Sequence, residues 1–270
     1  MLHFFRSRKT EPALPPIVAQ VPDGERVYAV GDVHGRSDLF IALIEAIERD
    51  NRERGPAQTT VVLLGDLVDR GPDSVNVLAL AREWQKFRNV RILLGNHEEM
   101  LVKSMTDIDM LRHFLRHGGR ETLLSYGVDK QEYTRAEIDG VQAMLCQVMP
   151  QADLDFIASF EDMIRIGDYL FVHAGVEPGV PLAEQQSARL RWIREPFLSH
   201  AEQHEDVVVV HGHTISESPV DQGNRIGIDT GAYVHGRLTA IVLEGTSRRY
   251  ISAIDDGEGN ITAASEQMGH

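Results

Sequence analysis

The sequence is poor in cysteine and has no long apolar run. Its single cysteine, Cys146, excludes a disulfide within the chain and a zinc site built from several cysteines. The longest runs of valine, leucine and isoleucine, residues 61–64 and 207–210, contain four residues each, whereas a membrane-spanning helix needs about 20 apolar residues. The N-terminal apolar stretch precedes its basic residues, the reverse of the order in a secretory signal. We therefore expect a cytoplasmic protein with no membrane partner.

Positive charge is also scarce. The 270 residues contain 27 lysines and arginines against 41 aspartates and glutamates, which gives a formal net charge of −14. This charge disfavours binding to nucleic acid and leaves many carboxylates available as metal ligands. We therefore expect no nucleic-acid partner. Because no regulatory arm or partner-binding tail is evident, we also expect no obligate protein partner.

The one cysteine is expected to be structural. It lies in a run of apolar residues, 141–149, whose spacing is typical of a core-facing helix. Free cysteine is among the residue types that are most often buried. We therefore predict a buried thiol at Cys146 rather than a nucleophile.

Strands that end at glycine and lead into helical spacing recur along the chain. Residues 27–30, 59–64 and 90–94 are apolar runs of this kind, and the second is typical of a strand buried on both faces. Three such units predict an α/β fold with its chemistry at the carboxyl ends of the strands. Further strands are predicted at residues 163–166, 169–172, 207–210, 225–230, 238–243 and 250–254, with a helical stretch at 184–203.

The domain organisation follows from where this pattern starts, stops and is interrupted. Residues 1–25 contain four prolines and predict an extended N-terminal arm. We interpret residues 26–256 as a single domain and 257–270 as a polar C-terminal tail. Within the domain, periodic apolar positions over about residues 98–160 predict a helical insertion that covers one side of the sheet.

Five glycine-containing turns at predicted strand ends hold aspartate, histidine and asparagine. They are residues 31–35, 65–71, 95–98, 173–175 and 211–214, and they contain five of the 12 histidines. Strand ends converge on one edge of an α/β sheet, so we expect these side chains to meet in one crevice. Mixed carboxylate, imidazole and amide ligands favour manganese, iron or zinc. Their number exceeds one tetrahedral shell and fits two metals that share a carboxylate and clamp an in-line phosphoryl transfer.

Three of these turns, taken in order, resemble those of a known family. They are Gly31-Asp32-Val33-His34-Gly35, Gly65-Asp66-Leu67-Val68-Asp69-Arg70-Gly71 and Gly95-Asn96-His97-Glu98. From about residue 27 to residue 243 the chain resembles the calcineurin-like metallophosphoesterases, and more narrowly their phosphoprotein phosphatase branch, which includes bacterial and phage serine/threonine phosphatases. The resemblance implies a four-layer α/β/β/α sandwich and two divalent metal ions, often manganese, with iron or zinc as alternatives. It also implies hydrolysis of phosphomonoesters by in-line attack of a hydroxide that bridges the metals.

A set of metal ligands is implied by the same resemblance. The six ligands are Asp32 and His34 at the first metal, Asp66 as the bridge, and Asn96, His173 and His213 at the second metal. His213 is preferred because it precedes the threonine of Gly-His-Thr at 212–214. His211 is the weaker candidate and is otherwise expected to lie just outside the ligand set.

The remaining motif residues are expected to act on the substrate. His97 would protonate the leaving oxygen, with Asp69 holding its imidazole in place. Arg70 offers a planar fork of donors for phosphate oxygens, and Arg194, in the Trp-Ile-Arg-Glu stretch at 192–195, matches a second such arginine of the family. Asn96 could also donate its amide to the phosphate.

These features predict a metal-dependent phosphatase that acts on phosphoserine and phosphothreonine in proteins or peptides. A symmetrical dinucleoside tetraphosphatase is one alternative, although such enzymes tend to carry alanine in place of Asp69 and aspartate in place of Glu98. A broad-specificity small-molecule phosphatase is another, and a non-catalytic metal-binding scaffold is a third, although no ligand and no acid is missing. The loop 229–233 resembles one that rims the site in relatives, with a plain hairpin turn as the other interpretation.

Overall fold

Two β-sheets packed face to face form the centre of the computed structural model, which describes residues 18–266. In chain order the strands are β1 (Glu25–Val30), β2 (Gln58–Leu63), β3 (Asn89–Ile92), β4 (Met163–Ile166), β5 (Tyr169–Val172), β6 (Val208–His211), β7 (Val220–Asp221), β8 (Arg225–Gly227), β9 (Arg237–Glu244), β10 (Ser247–Asp255) and β11 (Ile261–Glu266). The first sheet has the strand order β11-β10-β9-β1-β2-β3, and the second has the order β4-β5-β6-β8-β7.

The strands that lead into the predicted glycine turns run parallel within each sheet. In the first sheet β1 pairs with β2 and β2 with β3, and in the second sheet β5 pairs with β6 and β6 with β8. Because the carboxyl ends of parallel strands lie at the same edge of a sheet, the loops after these strands meet at one edge of the sandwich. Antiparallel strands complete the two sheets on their outer sides.

Helices cover the outer faces of the sheets. In chain order they are α1 (Ser37–Glu53), α2 (Ser74–Trp84), α3 (Asn96–Ser104), α4 (Ile108–Phe114), α5 (Arg120–Ser125), α6 (Lys130–Arg135), α7 (Ile138–Val148), α8 (Gln151–Ala158), α9 (Ser187–Trp192) and α10 (Ala232–His235). A π-helical turn, Leu115–Gly119, joins α4 to α5 and is kinked at Gly118, whose φ of 105° is not helical. A short 3-10 turn, Leu182–Glu184, precedes α9. Across residues 18–266, no helix has both the length and the apolar character needed to cross a bilayer.

Alternating side chains of the strands divide the apolar core into three layers. In β1, Tyr28 and Val30 pack with the helices, whereas Val27 and Ala29 pack with the second sheet. In β5, Val172 belongs to the outer layer on the far face of the second sheet. This alternation follows from the two-residue period of a β-strand. The four-layer α/β/β/α sandwich predicted from the sequence is therefore confirmed.

The predicted helical insertion corresponds to α3–α8, which lie between β3 and β4. Buried side chains from these helices, among them Leu111, Phe114 and Leu145, join the core between the first sheet and its helices. The insertion is therefore packed onto the domain rather than projecting from it. Its π-helical turn and α5 approach the glycine-turn edge of the sandwich, as shown below.

Three boundaries differ from the sequence prediction. Residues 261–266 of the predicted polar tail form β11, which pairs with β10 and packs Ile261 against the core. Residues 1–17 of the predicted arm and 267–270 of the tail lie outside the described residues, but Ala19 and Val21 of the arm are buried. The predicted helical stretch at 184–203 contains only the end of the short 3-10 turn and α9. Pro196 lies just beyond α9, and the residue before a proline disfavours the helical conformation, so the helix does not continue.

Cys146 is exposed, so the prediction of a buried thiol was wrong. The apolar face of α7 that enters the core contains Val141 and Leu145, and Cys146 lies beyond its edge. We expect Cys146→Ala to change the free energy of unfolding by less than about 0.5 kcal/mol, because surface substitutions rarely cost more. A thiol reagent should label the native protein without loss of activity. Protection of the thiol until the protein unfolds would contradict this assignment.

Candidate functional site

The loops after the parallel strands bring the predicted site residues together at one edge of the sandwich. In the first sheet, the loop after β1 contains Asp32 and His34, and the loop after β2 contains Asp66, Asp69 and Arg70. Asn96 and His97 begin α3, which follows β3. In the second sheet, His173 follows β5 and His213 follows β6. Five of these residues have a left-handed backbone, with φ between 46° and 72°: His34, Asp66, Asp69, Arg70 and His213. Each such non-glycine residue costs about 1–3 kcal/mol, which the surrounding contacts must offset.

Asp66 lies between two groups of histidines. Its Oδ2 is 3.6 Å from Nε2 of His34, and its Oδ1 is 3.4 Å from Nε2 of His173. Two sets of possible metal-binding atoms therefore share this carboxylate: His34, Asp66 and His97 in one set, and Asp66, His173 and His213 in the other. One carboxylate placed between two ligand sets is the arrangement expected for a bridging ligand.

The histidine orientations fit metal binding. Nδ1 of His34 lies 2.9 Å from the carbonyl oxygen of Val68, and Nδ1 of His173 lies 2.8 Å from that of Leu64. A histidine that donates its Nδ1–H to a carbonyl presents Nε2 as the coordinating atom. In both cases this Nε2 faces Asp66. The donor set therefore fits a site for divalent metal ions.

Asn96 and Asp32 complete this centre. The Oδ1 of Asn96 is 2.9 Å from Nε2 of His173 and 2.8 Å from Nδ1 of His213. The carboxylate of Asp32 accepts the backbone N–H of His213 at 3.0 Å, which fixes the loop after β6 against the loop after β1. Gly212 is required at this contact, because a Cβ there would lie 2.0 Å from Oδ1 of Asp32. All six predicted ligands thus lie in one cluster.

The buried carboxylates of the cluster also favour the binding of a cation. Burial and the neighbouring Asp229 carboxylate raise the pKa of Asp32 well above its usual value. Burial lowers the pKa of His173, but the carboxylates of Asp66 and Asp32 outweigh it and raise that pKa to about 10. Burial, with His173 nearby, lowers the pKa of His213 to about 3. Neutral imidazole is the metal-binding form, and a divalent cation would balance the buried carboxylates.

His97 and Asp69 form a buried dyad beside the metal ligands. Nδ1 of His97 lies 2.7 Å from Oδ2 of Asp69, and both side chains are at most 1% exposed. Nε2 of His97 faces Asp66 at 3.9 Å from its Oδ2. Burial lowers the pKa of His97 to about 4 and raises that of Asp69 well above its usual value. The dyad therefore presents one imidazole nitrogen to the metal centre and holds the other on a carboxylate.

The two predicted arginines are placed differently. Arg70 lies at the centre, where one of its terminal nitrogens is 3.1 Å from Nε2 of His34 and its guanidinium stacks 4.7 Å from the ring centroid of Tyr233. Arg194 is exposed, and its charge contributes to the lowered pKa of His213, which places it at the rim beside that ligand. Tyr233 also confirms that the loop 229–233 rims the site, since its ring lies 5.2 Å from that of His34.

His211, the weaker candidate for the last ligand, does not join the cluster. It is the final residue of β6, its Nδ1 lies 3.0 Å from the carbonyl oxygen of Gly212, and its ring packs 5.1 Å from that of Phe197. Phe197 belongs to the outer apolar layer on the far face of the second sheet. The side chain of His211 therefore points away from Asp66, and His213 is the histidine of this pair that joins the cluster.

Glu98 has a role that the sequence analysis did not assign. It is fully buried, and its carboxylate accepts backbone N–H groups from Gly95, Asp66, Leu67 and Val68 at 2.7–3.2 Å. Burial, with Asp66 nearby, raises its pKa to about 7. Glu98 thus fastens the loop after β2 to the start of α3. In the sequence, Glu98 was marked only by the Gly-Asn-His-Glu motif. No local pattern predicts its hydrogen bonds to the loop after β2, which we call the Glu98 clamp.

We expect Glu98→Gln to lower the free energy of unfolding by about 1–3 kcal/mol at pH 8, because its amide hydrogens would face buried N–H donors. Denaturant unfolding followed by circular dichroism measures this loss. Glu45→Gln, on the exposed face of α1, is the matched control and should stay within about 0.5 kcal/mol of the parent. Equal stabilities of the two variants would contradict the clamp.

The family follows from this fold and site together with comparison to known proteins. Residues 25–238 match the family model described as Calcineurin-like phosphoesterase. The chain therefore belongs to this family of metallophosphoesterases, as its motifs indicated.

Relatives of the chain carry different substrate names. It is 28% identical over 222 residues to Serine/threonine-protein phosphatase 1 of Salmonella typhimurium. That alignment covers 79% of this chain and 89% of the relative. It is 26% identical over 231 residues to Bis(5'-nucleosyl)-tetraphosphatase PrpE [asymmetrical] of Bacillus velezensis, over 78% of this chain and 86% of that protein. A crystal structure of a candidate diadenosine tetraphosphatase superposes with a TM-score of 0.57 at 22% identity, over 95% of this chain and 98% of the other. At that identity the superposition shows the fold alone.

Proposed function

We propose that this protein is a metal-dependent phosphomonoesterase that hydrolyses phosphoserine and phosphothreonine in proteins or peptides. The observation that carries the proposal is the buried His97–Asp69 pair, with its nitrogen and oxygen 2.7 Å apart. A serine or threonine alkoxide is a strongly basic leaving group, so its departure requires a proton from a positioned acid. His97, oriented by Asp69, is placed to supply that proton from Nε2.

A symmetrical dinucleoside tetraphosphatase is the second candidate, supported by similarity to relatives named for the symmetrical and for the asymmetrical activity. The leaving group in that reaction is a nucleoside phosphate, which is weakly basic and departs with little help from an acid. A buried acid with its own orienting carboxylate contributes little to such a reaction. Asp69 therefore favours the monoesterase. A broad-specificity small-molecule phosphatase shares the same site chemistry and differs only in what surrounds the phosphate.

The proposal includes two divalent metal ions, with manganese first and iron or zinc as alternatives. Asp32, His34 and Asp66 would hold one ion, and Asp66, Asn96, His173 and His213 would hold the other. The presence of one carboxylate between two sets of histidine nitrogens supports this assignment. When bound, such ions polarise the phosphoryl oxygens and neutralise the charge that develops on them.

The chain's own residues perform the remaining tasks. Arg70, at the centre of the site, binds phosphate oxygens through its planar guanidinium and holds them for in-line displacement. The amide of Asn96 adds a neutral donor beside it. In its protonated, imidazolium form His97 transfers the proton from Nε2 to the departing oxygen and becomes neutral, while its Nδ1–H stays donated to Asp69. Arg194 reaches the phosphate from the rim.

Arg70→Ala is expected to reduce kcat/KM on a phosphoserine peptide by about 30- to 1000-fold, because a lost charged contact to the transition state is worth about 2–4 kcal/mol. Metal content should stay at the wild-type level. Arg194→Ala is expected to change the rate in the same direction by a smaller factor, since its guanidinium is exposed and screened by solvent. If Arg194→Ala matched the wild type, Arg194 would have no part in phosphate binding, while the role of Arg70 would be unaffected.

The function is tested by direct assay of the purified protein with Mn²⁺. Phosphoserine and phosphothreonine peptides, diadenosine tetraphosphate and a set of sugar phosphates are compared by kcat/KM, with chelator-treated protein as the control. A clear preference for the phosphopeptides supports the proposal. A preference for the tetraphosphate would replace it with the second candidate. Absence of turnover on every substrate would indicate a metal-binding scaffold.

A further inference from the structure

Thr122 of α5 brings the helical insertion into contact with the dyad. Thr122 is fully buried and lies 53 residues beyond Asp69 in the sequence. Its Oγ1 is 2.6 Å from Oδ1 of Asp69 and 3.0 Å from the backbone nitrogen of the same residue. Neither the metal centre nor the arginines use this contact. Within the dyad, the contact is made to Asp69.

The hydrogen atoms around Thr122 can be assigned. A carboxylate oxygen only accepts, so the single hydroxyl hydrogen of Thr122 is donated to Oδ1 of Asp69. The hydroxyl of Ser74, 2.9 Å away, must then donate to Oγ1 of Thr122. Ser74 Oγ also accepts the backbone N–H of Asp69 at 3.0 Å. The result is a directed chain from Ser74 through Thr122 to Asp69.

These hydrogen bonds fix the orientation of the Asp69 carboxylate towards the imidazole. With Oδ1 occupied by Thr122, Oδ2 is the oxygen that faces Nδ1 of His97. A carboxylate held at both oxygens cannot rotate away, and a carboxylate that holds Nδ1 fixes the orientation and tautomer of the imidazole. With its Nδ1–H donated to Asp69, the imidazole carries a transferable proton on Nε2 when it is in the protonated, imidazolium form, and that nitrogen faces Asp66.

The insertion also supports the backbone that carries Asp69. Asp69 and Arg70 are consecutive left-handed residues, with φ of 72° and 70°. The backbone N–H of Arg70 donates to the carbonyl of Gly118 in the π-helical turn at 3.1 Å. A Cβ at Gly118 would lie 2.6 Å from Cγ of Arg70, so this close approach requires glycine. The π-helical turn and α5 thus hold both residues of the strained pair.

We propose that Thr122 is a positioning residue for the catalytic acid, through which the insertion controls protonation of the leaving group. The inference rests on the proposed role of His97. It adds that the insertion determines how well the acid works, separately from any contact that the insertion makes with the substrate. Loss of the Thr122 hydroxyl should therefore matter in proportion to the basicity of the leaving group.

The test compares Thr122→Val, which keeps the shape and removes the hydroxyl, with Thr122→Ser, which keeps the hydroxyl. Thr122→Val is expected to lower kcat on a phosphoserine peptide by about 10-fold or more and kcat on p-nitrophenyl phosphate by less than about threefold. Thr122→Ser should restore the peptide rate to within about threefold of the wild type. Thr60→Val, which removes a buried hydroxyl from β2 away from the dyad, is the matched control and should lower neither rate selectively.

A second measurement needs no turnover. In protein loaded with Zn²⁺, the proton between His97 and Asp69 is expected to give a downfield NMR signal, which is assigned by its loss in Asp69→Asn. This signal should persist in Thr122→Ser and shift or broaden in Thr122→Val. If Thr122→Val fails to fold, Ser74→Ala takes its place, with the same direction of change expected.

The outcomes separate this inference from the proposed function. Equal losses on both substrates in Thr122→Val, or an unchanged His97 signal, would overturn the role of Thr122. A wild-type protein that does not hydrolyse the phosphopeptide would overturn the proposed function, while the NMR comparison would still decide whether Thr122 orients the dyad.

Discussion

Replacement of Asp66 with asparagine is expected to weaken metal binding in both candidate ligand sets at once and to abolish phosphoesterase activity. The two oxygens of Asp66 face His34 and His173 at 3.6 Å and 3.4 Å. An amide would replace one of these oxygens with an NH2 group that does not bind metal and would leave the other without its negative charge. Loss of a residue that only orients a metal ligand costs about 10- to 100-fold in affinity. Loss of a shared ligand should cost more at each metal. Elemental analysis after reconstitution with Mn²⁺ measures the bound metal directly.

Variants of residues that belong to one set provide the control. His34→Asn and His213→Asn each remove a nitrogen from a single set, so each is expected to lower the metal content by about one ion per chain, while Asp66→Asn lowers it by about two. Unfolding measurements on the same samples show whether the fold is intact. A wild-type stoichiometry that stays at one ion with full activity would contradict the two-metal assignment, and so would a normal metal content in Asp66→Asn.

The clustering of the candidate metal ligands could be predicted because it depends on local sequence and a general rule. Each ligand follows a short apolar strand that ends at or near glycine, and the carboxyl ends of parallel strands share one edge. The choice between His211 and His213 came from the family motif. The structure gives the physical reason: His211 still belongs to β6 and points into the far apolar layer, whereas His213 lies beyond the strand, with a left-handed backbone that aims it at Asn96.

The contacts that hold the site could not be predicted, because they join residues that are distant in the chain. Glu98 clamps backbone groups about 30 residues earlier, and Thr122 reaches Asp69 across 53 residues. A threonine in a helical insertion has no local feature that distinguishes it from any other helical threonine. Which face of an insertion helix enters the core is likewise set by tertiary packing, and for this reason Cys146 was assigned to the wrong side of α7.

The same limit applies to the ends of the domain. The predicted polar tail contains β11, whose alternating Ile261 and Ala263 are too few to stand out from the polar residues around them. The strand forms because the free edge of β10 offers a row of backbone hydrogen-bond partners. Backbone pairing cannot be predicted from a pattern of side chains. It adds one strand to the first sheet beyond residue 256, the predicted end of the domain.

Replacement of His97 with asparagine is expected to slow phosphoserine peptide hydrolysis by about 10²- to 10⁴-fold, the usual contribution of a general acid. The loss on p-nitrophenyl phosphate should be far smaller, because nitrophenolate is a weak base and leaves without a proton. Asp69→Asn should show the same asymmetry in milder form, since His97 would keep its position but lose the carboxylate 2.7 Å from its Nδ1. Steady-state kinetics on both substrates at saturating Mn²⁺ provide the comparison.

Metal content is the critical control for this experiment, because His97 lies close enough to Asp66 and His34 to share a metal with them. If His97 is the acid, His97→Asn retains the wild-type amount of bound metal. It then slows hydrolysis of the phosphoserine peptide, whose leaving group needs a proton, far more than hydrolysis of p-nitrophenyl phosphate. If His97 is a ligand, the variant loses metal, and both substrates slow by the same factor. Equal losses with normal metal content would instead mean that His97 positions the phosphate or the attacking water. The leaving-group comparison and the metal analysis together therefore assign one role to this imidazole.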